Sequence, residues 1–319
     1  MTATPNLPDS IRVIERGWLS SNNILLFDDD GATLIDSGYV GHAAQTIELV
    51  KSALAGWNAP HGVRPLARLI NTHSHSDHIG GNAALQREFS CRILIPAGIE
   101  AHVRDWDENA LLLTPAAQRG DRFLHDGIVQ AGETLTLGGL DWQAHAAPGH
   151  DMDALVFHCP EARLLISGDA LWEDGFGIVF GELLSKPGGP SGLSATRSTL
   201  EMIGRLAIDT VIPGHGRHFG TIDEALERAF KRLAAFEADP TRMARNALKA
   251  CFIFNLLDLQ SLPRAGLEAY LDDIPIFHDV GTRLLGMDIP ALTGWLLDEL
   301  KKVGAIDEFD GQLRPTMAA

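Results

Sequence analysis

Cysteine is scarce in this chain: three in 319 residues, Cys91, Cys159 and Cys251. An odd number at wide spacing argues against a disulfide framework and fits reduced thiols packed as small core residues. Basic residues are also short. Lys and Arg number 26 against 42 Asp and Glu, a formal net charge of −16. A general nucleic-acid binder is therefore not expected, because phosphate backbones need basic surface. No segment is long and apolar enough to span a bilayer. Residues 1–10 are polar, hold Pro5 and Pro8, and lack a basic start followed by an apolar run, so no signal peptide is expected. These absences predict a soluble, cytoplasmic protein that acts on a small molecule and keeps away from membranes.

What the chain does have is apolar content of 45%, ample for a buried core, and a length that allows one large domain or a large and a small one. Ile11–Glu15, Ile24–Phe27 and Ala32–Ile35 read as strands. Asp28-Asp29-Asp30-Gly31 reads as a hairpin turn in which Gly31 is free to take positive φ. Ala43–Leu54 reads as a helix with Ile47, Val50 and Leu54 on one face. Residues 97–113 read as helical and carry Trp106, and 114–132 as part of a lid or substrate wall.

The most informative stretch is Asn71-Thr72-His73-Ser74-His75-Ser76-Asp77-His78-Ile79-Gly80-Gly81, with three imidazoles and a carboxylate in six positions. An apolar strand through Leu66, Leu69 and Ile70 leads in, and a helix is expected from about Gly81. His73 and His75 stand two apart, so in extended backbone they point the same way and can grip one metal ion. Asp77 and His78 follow the turn and face elsewhere, so one loop can serve two adjacent metals. Imidazole and carboxylate suit zinc, and also iron or manganese.

Further along, His150, Asp169 and His215 each end a short apolar strand in a Gly-, Pro- or Ser-rich turn: Pro148-Gly149-His150, Ser167-Gly168-Asp169 and Pro213-Gly214-His215. Strands followed by helices occur in both halves. The expected fold is an α/β sandwich of the αββα kind, two mixed β-sheets face to face with helices outside.

These motifs together resemble the metallo-β-lactamase superfamily, whose pattern is His-x-His-x-Asp-His, then Gly-His, then Asp after a strand, then a final Gly-His. The resemblance runs over roughly residues 11–236. It implies two divalent metal ions, with zinc expected. His73, His75 and His150 would hold one, Asp77, His78 and His215 the other, and Asp169 would bridge them. True β-lactamases of the family commonly place Cys near the Asp169 position and are secreted, so this chain resembles instead the glyoxalase II-like thioesterases, lactonases and nuclease-like members. The implied activity is metal-dependent hydrolysis, in which hydroxide from a water held between the metals attacks an ester, thioester or lactone. Asp77 would bind its metal and also orient or receive the proton. The alternatives are a metal-dependent phosphodiesterase or ribonuclease, an iron-dependent sulfur dioxygenase-like oxidoreductase, and a metal-bound sensor without turnover.

Trp172 and Phe176, in the Gly- and aromatic-rich stretch after Asp169, are candidates for an apolar wall over the metals, and His218 for the pocket lining. No basic cluster follows that stretch of the kind glyoxalase II uses for glutathione. Ala238-Asp239-Pro240 reads as a boundary between a catalytic domain, 1–237, and a helical C-terminal domain, 238–319. The latter resembles the winged-helix-like appendage of some family members, with Pro263 opening one helix and Asp310-Gly311 turning a short hairpin. It is acidic, with Asp272-Asp273 read as a solvated loop, so its expected role is to wall the active site or to pack in a homodimer.

Overall fold

The computed structural model describes residues 5–184 and 191–317. Two sheets pack face to face. The first runs in the order β1 (Ile11–Ile14), β2 (Asn23–Phe27), β3 (Ala32–Ile35), β4 (Leu66–Ile70), β5 (Arg92–Pro96) and β6 (Gly127–Val129). Its first three strands form an antiparallel meander, and β3 to β6 are mutually parallel. The second sheet contains β7 (Thr134–Leu137), β8 (Leu140–Ala146), β9 (Leu155–Cys159), β10 (Leu164–Gly168) and β11 (Thr210–Pro213), and is antiparallel except for the β10–β11 pair.

The period-2 alternation of a strand explains why both faces of each sheet are apolar. In β2, Ile24 and Leu26 enter the core between the sheets, whereas Leu25 and Phe27 enter the layer under the helices Ala43–His61 and Asn82–Phe89. In the second sheet Phe157, Ile166 and Ile212 face inward, and Val156, Leu165 and Val211 face the helices Gly192–Ile203 and Ile222–Ala238. The result is the αββα sandwich. No helix among the described residues is long and apolar enough to cross a membrane.

Several local expectations are corrected. The first long helix continues to His61, because Trp57 stacks on Phe27 with ring centroids 4.6 Å apart and His61 stacks on Trp57 at 4.4 Å. The helix expected over 97–113 stops at Asp105. Trp106 has φ +55° and packs edge-on against Phe123, and the Asp107 carboxylate then caps the amides of Asn109 and Ala110. Gly31 does not take positive φ; it is needed for space, since a Cβ there would lie 2.9 Å from the Ala67 Cβ. Pro263 lies in a short strand, β12 (Leu262–Pro263), which pairs with β14 (Gln312–Pro315); β14 also pairs with β13 (Ile306–Phe309) around the Asp310-Gly311 turn. Asp272 ends the helix Leu267–Asp272, and its carboxylate meets His278 Nδ1 at 2.7 Å rather than facing water alone.

At Asp239 the chain turns sharply between the helix Ile222–Ala238 and the helix Pro240–Leu259. Asp239 caps the second helix through the amides of Thr241 and Arg242, and Pro240 takes its first turn, where a missing N–H is harmless. The helices beyond it do not stand apart. Phe252, Phe277 and Leu296 belong to the same apolar cluster as Leu165 and Leu200 of the sandwich.

Candidate metal centre

Strand direction brings the site together. β3 and β4 are parallel, β10 and β11 are parallel, and β8 runs the same way as β10 because both are antiparallel to β9. The loops leaving their C-terminal ends therefore open on one edge, as ligand loops do in α/β sheets. They carry Asp36, His73 to His78, His150, Asp169 and His215. Backbone hydrogen bonds join the loops: Leu155 N to Thr72 O, Gly214 N to Gly168 O, and Ser21 N to Asp77 O, at 2.8 to 3.0 Å.

The candidate ligands form two groups. His73, His75 and His150 make one; Asp77, His78, Asp169 and His215 make the other, and within each group the donor atoms lie within 4.8 Å of one another. His75 Nδ1 stands 2.6 Å from His150 Nε2 and 3.1 Å from His73 Nε2. Asp169 touches both groups, with Oδ2 3.3 Å from His150 Nε2 and Oδ1 3.4 Å from His78 Nε2. Asp77 Oδ2 meets His215 Nε2 at 3.0 Å.

The outer nitrogens fix the tautomers. His150 Nδ1 donates to the Ile178 carbonyl at 2.6 Å. Thr72 Oγ1 donates to Asp36 Oδ2 at 2.8 Å and so accepts from His73 Nδ1 at 3.0 Å. His78 Nδ1 donates to the same Asp36 oxygen at 2.8 Å. His73 and His150 are thereby left with an Nε2 lone pair facing inward, and His78 turns its Nε2 the same way, the arrangement outer partners impose on metal-bound imidazoles. Asp36, held at φ +58°, is an anchor that sequence reading missed. Its only signal was that it, too, ends a strand in a Ser-Gly turn. Asp151 is another, accepting from Ser74 N and Oγ at 3.1 and 2.7 Å and so bracing the loop between His73 and His75.

The donor set fits a cation. Burial, reinforced by the neighbouring imidazoles, holds His73 well below the usual histidine range. Burial and His150 bring His75 to about 4. Burial likewise lowers His150. His73 and His150 turn lone pairs toward the point that His75 Nδ1 also faces, and neutral imidazole is the form a metal binds. In the second group burial opposes ionisation of Asp169, but His215 and His78 outweigh it and hold the carboxyl well below its ordinary range. Asp77 is lowered the same way, chiefly by His78 against burial. For His78 burial is outweighed by Asp77, Asp36 and Asp169, which raise it well above the ordinary value. Its Nε2 makes no hydrogen bond. Packing is tight as well: a Cβ on Gly214 would fall 2.3 Å from Asp169 Oδ1 and 2.9 Å from His78 Cε1.

Above this cluster lies a cavity of about 300 Å³. His75, Asp77, His150, Asp169 and His215 open onto it, while His73 and His78 sit beneath, 1% and 0% exposed. Trp172 and Phe176 line it, and Trp172 Nε1 donates to Asp169 Oδ1 at 3.2 Å. His218 does not reach it; its Nε2 meets the Pro5 carbonyl at 3.0 Å. Further walls come from Trp18, Phe180 and Phe254, and from Ala116 and Gln118 of the segment expected to be a lid or wall. Trp18, 47% exposed, stacks on His215 at 5.6 Å. No sequence motif marked it.

Comparisons with known proteins give the family and the fold. A family model described as the metallo-beta-lactamase superfamily matches residues 16–215. A hydroxyacylglutathione hydrolase of Rhodopseudomonas palustris (strain BisB5) is 29% identical over 115 residues, 36% of this chain and 38% of that protein. The chain thus spans well under half the length of that relative. A probable metallo-hydrolase of Bacillus subtilis (strain 168), YqgX, is 27% identical over 164 residues, 50% of this chain and 71% of that protein. Among solved structures, a metallo-beta-lactamase family protein from Thermus thermophilus covers 97% of this chain and 100% of its own, with a TM-score of 0.56 at 17% identity. The FEZ-1 metallo-beta-lactamase of Legionella gormanii covers 71% of this chain and 92% of its own, with a TM-score of 0.56 at 13% identity.

Proposed function

The chain belongs to the metallo-beta-lactamase superfamily, and on that premise we propose that it is a metal-dependent hydrolase of an ester-type bond, a thioester, ester or lactone. The observation that carries the reading is the pair of donor groups sharing Asp169 at the floor of an apolar-walled cavity. His73, His75 and His150 would hold one divalent cation, and Asp77, His78 and His215 a second, with Asp169 common to both. Zinc is expected, with iron or manganese as alternatives. Such cations supply a nucleophile at neutral pH and a Lewis acid for the attacked oxygen.

The remaining work falls to the protein. Asp77, which opens onto the cavity, orients the attacking water and receives its proton. Asp36 and Thr72 keep His73 and His78 in the binding tautomer. Trp172 fixes Asp169 by donating to Oδ1. The apolar walls exclude bulk water, which strengthens every charge interaction inside. Similarity to a hydroxyacylglutathione hydrolase supports the thioester end of this range.

Elemental analysis and a panel of thioesters, esters, lactones and bis-aryl phosphodiesters test the reading together. Wild-type protein is expected to carry two equivalents of metal. His75→Ala and Asp169→Ala should lose metal and turnover by more than the roughly 10–100-fold that follows loss of an outer-sphere partner. Full metal content and full activity in both variants would refute it, and turnover confined to the phosphodiester would move the assignment to that class.

A further inference from the structure

The chain is acidic overall, yet a groove beside the cavity is cationic. Arg228, Lys231 and Arg232 of the helix Ile222–Ala238 and Arg242, Arg245 and Lys249 of the helix Pro240–Leu259 line a space of about 710 Å³. Among the described residues the only carboxylates lining it are Asp174 and Asp239. The spacing on each helix, i, i+3, i+4 on one and i, i+3, i+7 on the other, puts the cations on one face of each. Like charges so placed repel and weaken a helix. The two carboxylates do little to offset this. Asp174 is 95% exposed and 3.8 Å from Arg228 Nε, and Asp239 is engaged in capping Thr241 and Arg242 amides. Lys249 has Glu299 at 3.7 Å. Among the described residues Lys231, Arg232, Arg242 and Arg245 have no carboxylate within ion-pair distance.

Arg232 joins this groove to the metal-site cavity: it and Asn246 line both. Its guanidinium carbon lies 5.1 Å from the Phe176 ring centroid and 5.3 Å from that of Phe236. Gly175 leaves it room, since a Cβ there would stand 3.0 Å from Nη1. The guanidinium is thus held in place by rings and backbone, with its N–H forks uncommitted, at the point where the apolar space ends. Four of the six cations are arginines, whose planar forks match phosphate oxygens in pairs. The groove is larger than one carboxylate fills.

We propose that this groove holds the phosphate-bearing part of the substrate, so that the bond over the ligand cluster joins an apolar acyl group to a polyanionic leaving group of nucleotide size. The assignment rests on the hydrolase reading above and names its substrate class. Water supplies the oxygen of the new carboxylate; the acyl carbon's bond to the leaving sulfur or oxygen breaks, one of water's protons ends on that atom and the other is released to solvent.

Isothermal titration of the metal-loaded full chain with adenosine 3′,5′-bisphosphate tests it, with glutathione as the carboxylate-bearing comparison. The bisphosphate should bind, with affinity falling as salt rises. Arg242→Glu combined with Arg245→Glu, both at exposed positions, should weaken it at least about tenfold, the loss expected for two charge-assisted contacts. Arg87→Glu, outside the groove, should not. If the double reversal fails to fold, Arg245→Gln alone should show the same direction at smaller amplitude. Absence of bisphosphate binding, equal binding by the variants, or tighter binding of glutathione overturns the proposal. Hydrolysis of neutral esters without bisphosphate binding leaves the hydrolase reading standing and removes this one; bisphosphate binding without turnover of any ester removes the hydrolase reading and, with it, the assignment of the groove to a substrate.

Discussion

Asp36 shows how much a single buried carboxylate can organise. It accepts from Thr72 N, Thr72 Oγ1 and His78 Nδ1, each at 2.8 Å, and through Thr72 it sets His73. Asp36→Ala should therefore lower metal affinity by roughly 10–100-fold without removing a ligand, as read by competition with a chelating dye; unchanged affinity would make Asp36 a packing residue only. The three depressed histidines also set a pH dependence for the metal-free protein. An unfolded histidine takes up a proton below about 6.5, whereas His75 resists until about 4 because of burial and His150, and His73 and His150 are lowered too. The unfolded chain then binds more protons, so stability falls with falling pH across about 6.5 to 4. His78, raised by its carboxylate neighbours, is charged in both states over that window and adds no slope. Urea midpoints of chelator-treated protein should drop through that range, and those of metal-loaded protein should drop less.

Individual elements divide into those legible in the sequence and those that only the fold reveals. The His73–His78 loop was legible because six consecutive positions carry the chemistry, and His150, Asp169 and His215 because each follows an apolar strand into a Gly or Pro turn. Asp36 was not, since its partners lie 36 and 42 residues away and nothing local demands them. The walls Trp18 and Phe254 and the cationic face of the two long helices were hidden for the same reason: they meet the site only through packing. The break at Trp106 was missed because its left-handed backbone is set by tertiary contact with Phe123, against a sequence that reads as helix. At the bend between the two long helices, Asp239 supplies the side-chain cap of the second. Asp239→Ala should cost about 1 kcal/mol, measurable by urea unfolding, and should shift the groove cations on that helix; no loss would mean that tertiary packing alone holds the bend.

Across the whole molecule, each donor group draws on both halves of the sandwich. His73, His75, Asp77 and His78 come from loops of the first sheet, and His150, Asp169 and His215 from loops of the second. Elsewhere the sheets adhere through apolar side chains such as Leu26, Trp142 and Phe157. At the edge that carries the donor groups they meet through charge and imidazole. Bound ions would then act as rivets across the seam, and an ion that favours only the native form adds to its stability in proportion to occupancy. Stripping them should unlatch that edge first. Amide hydrogens of Thr72, Leu155 and Gly214 are expected to exchange with deuterium sooner in chelator, while those in the middle of β2 and β9 keep their protection; uniform exchange along the strands would mean that the seam closes without help.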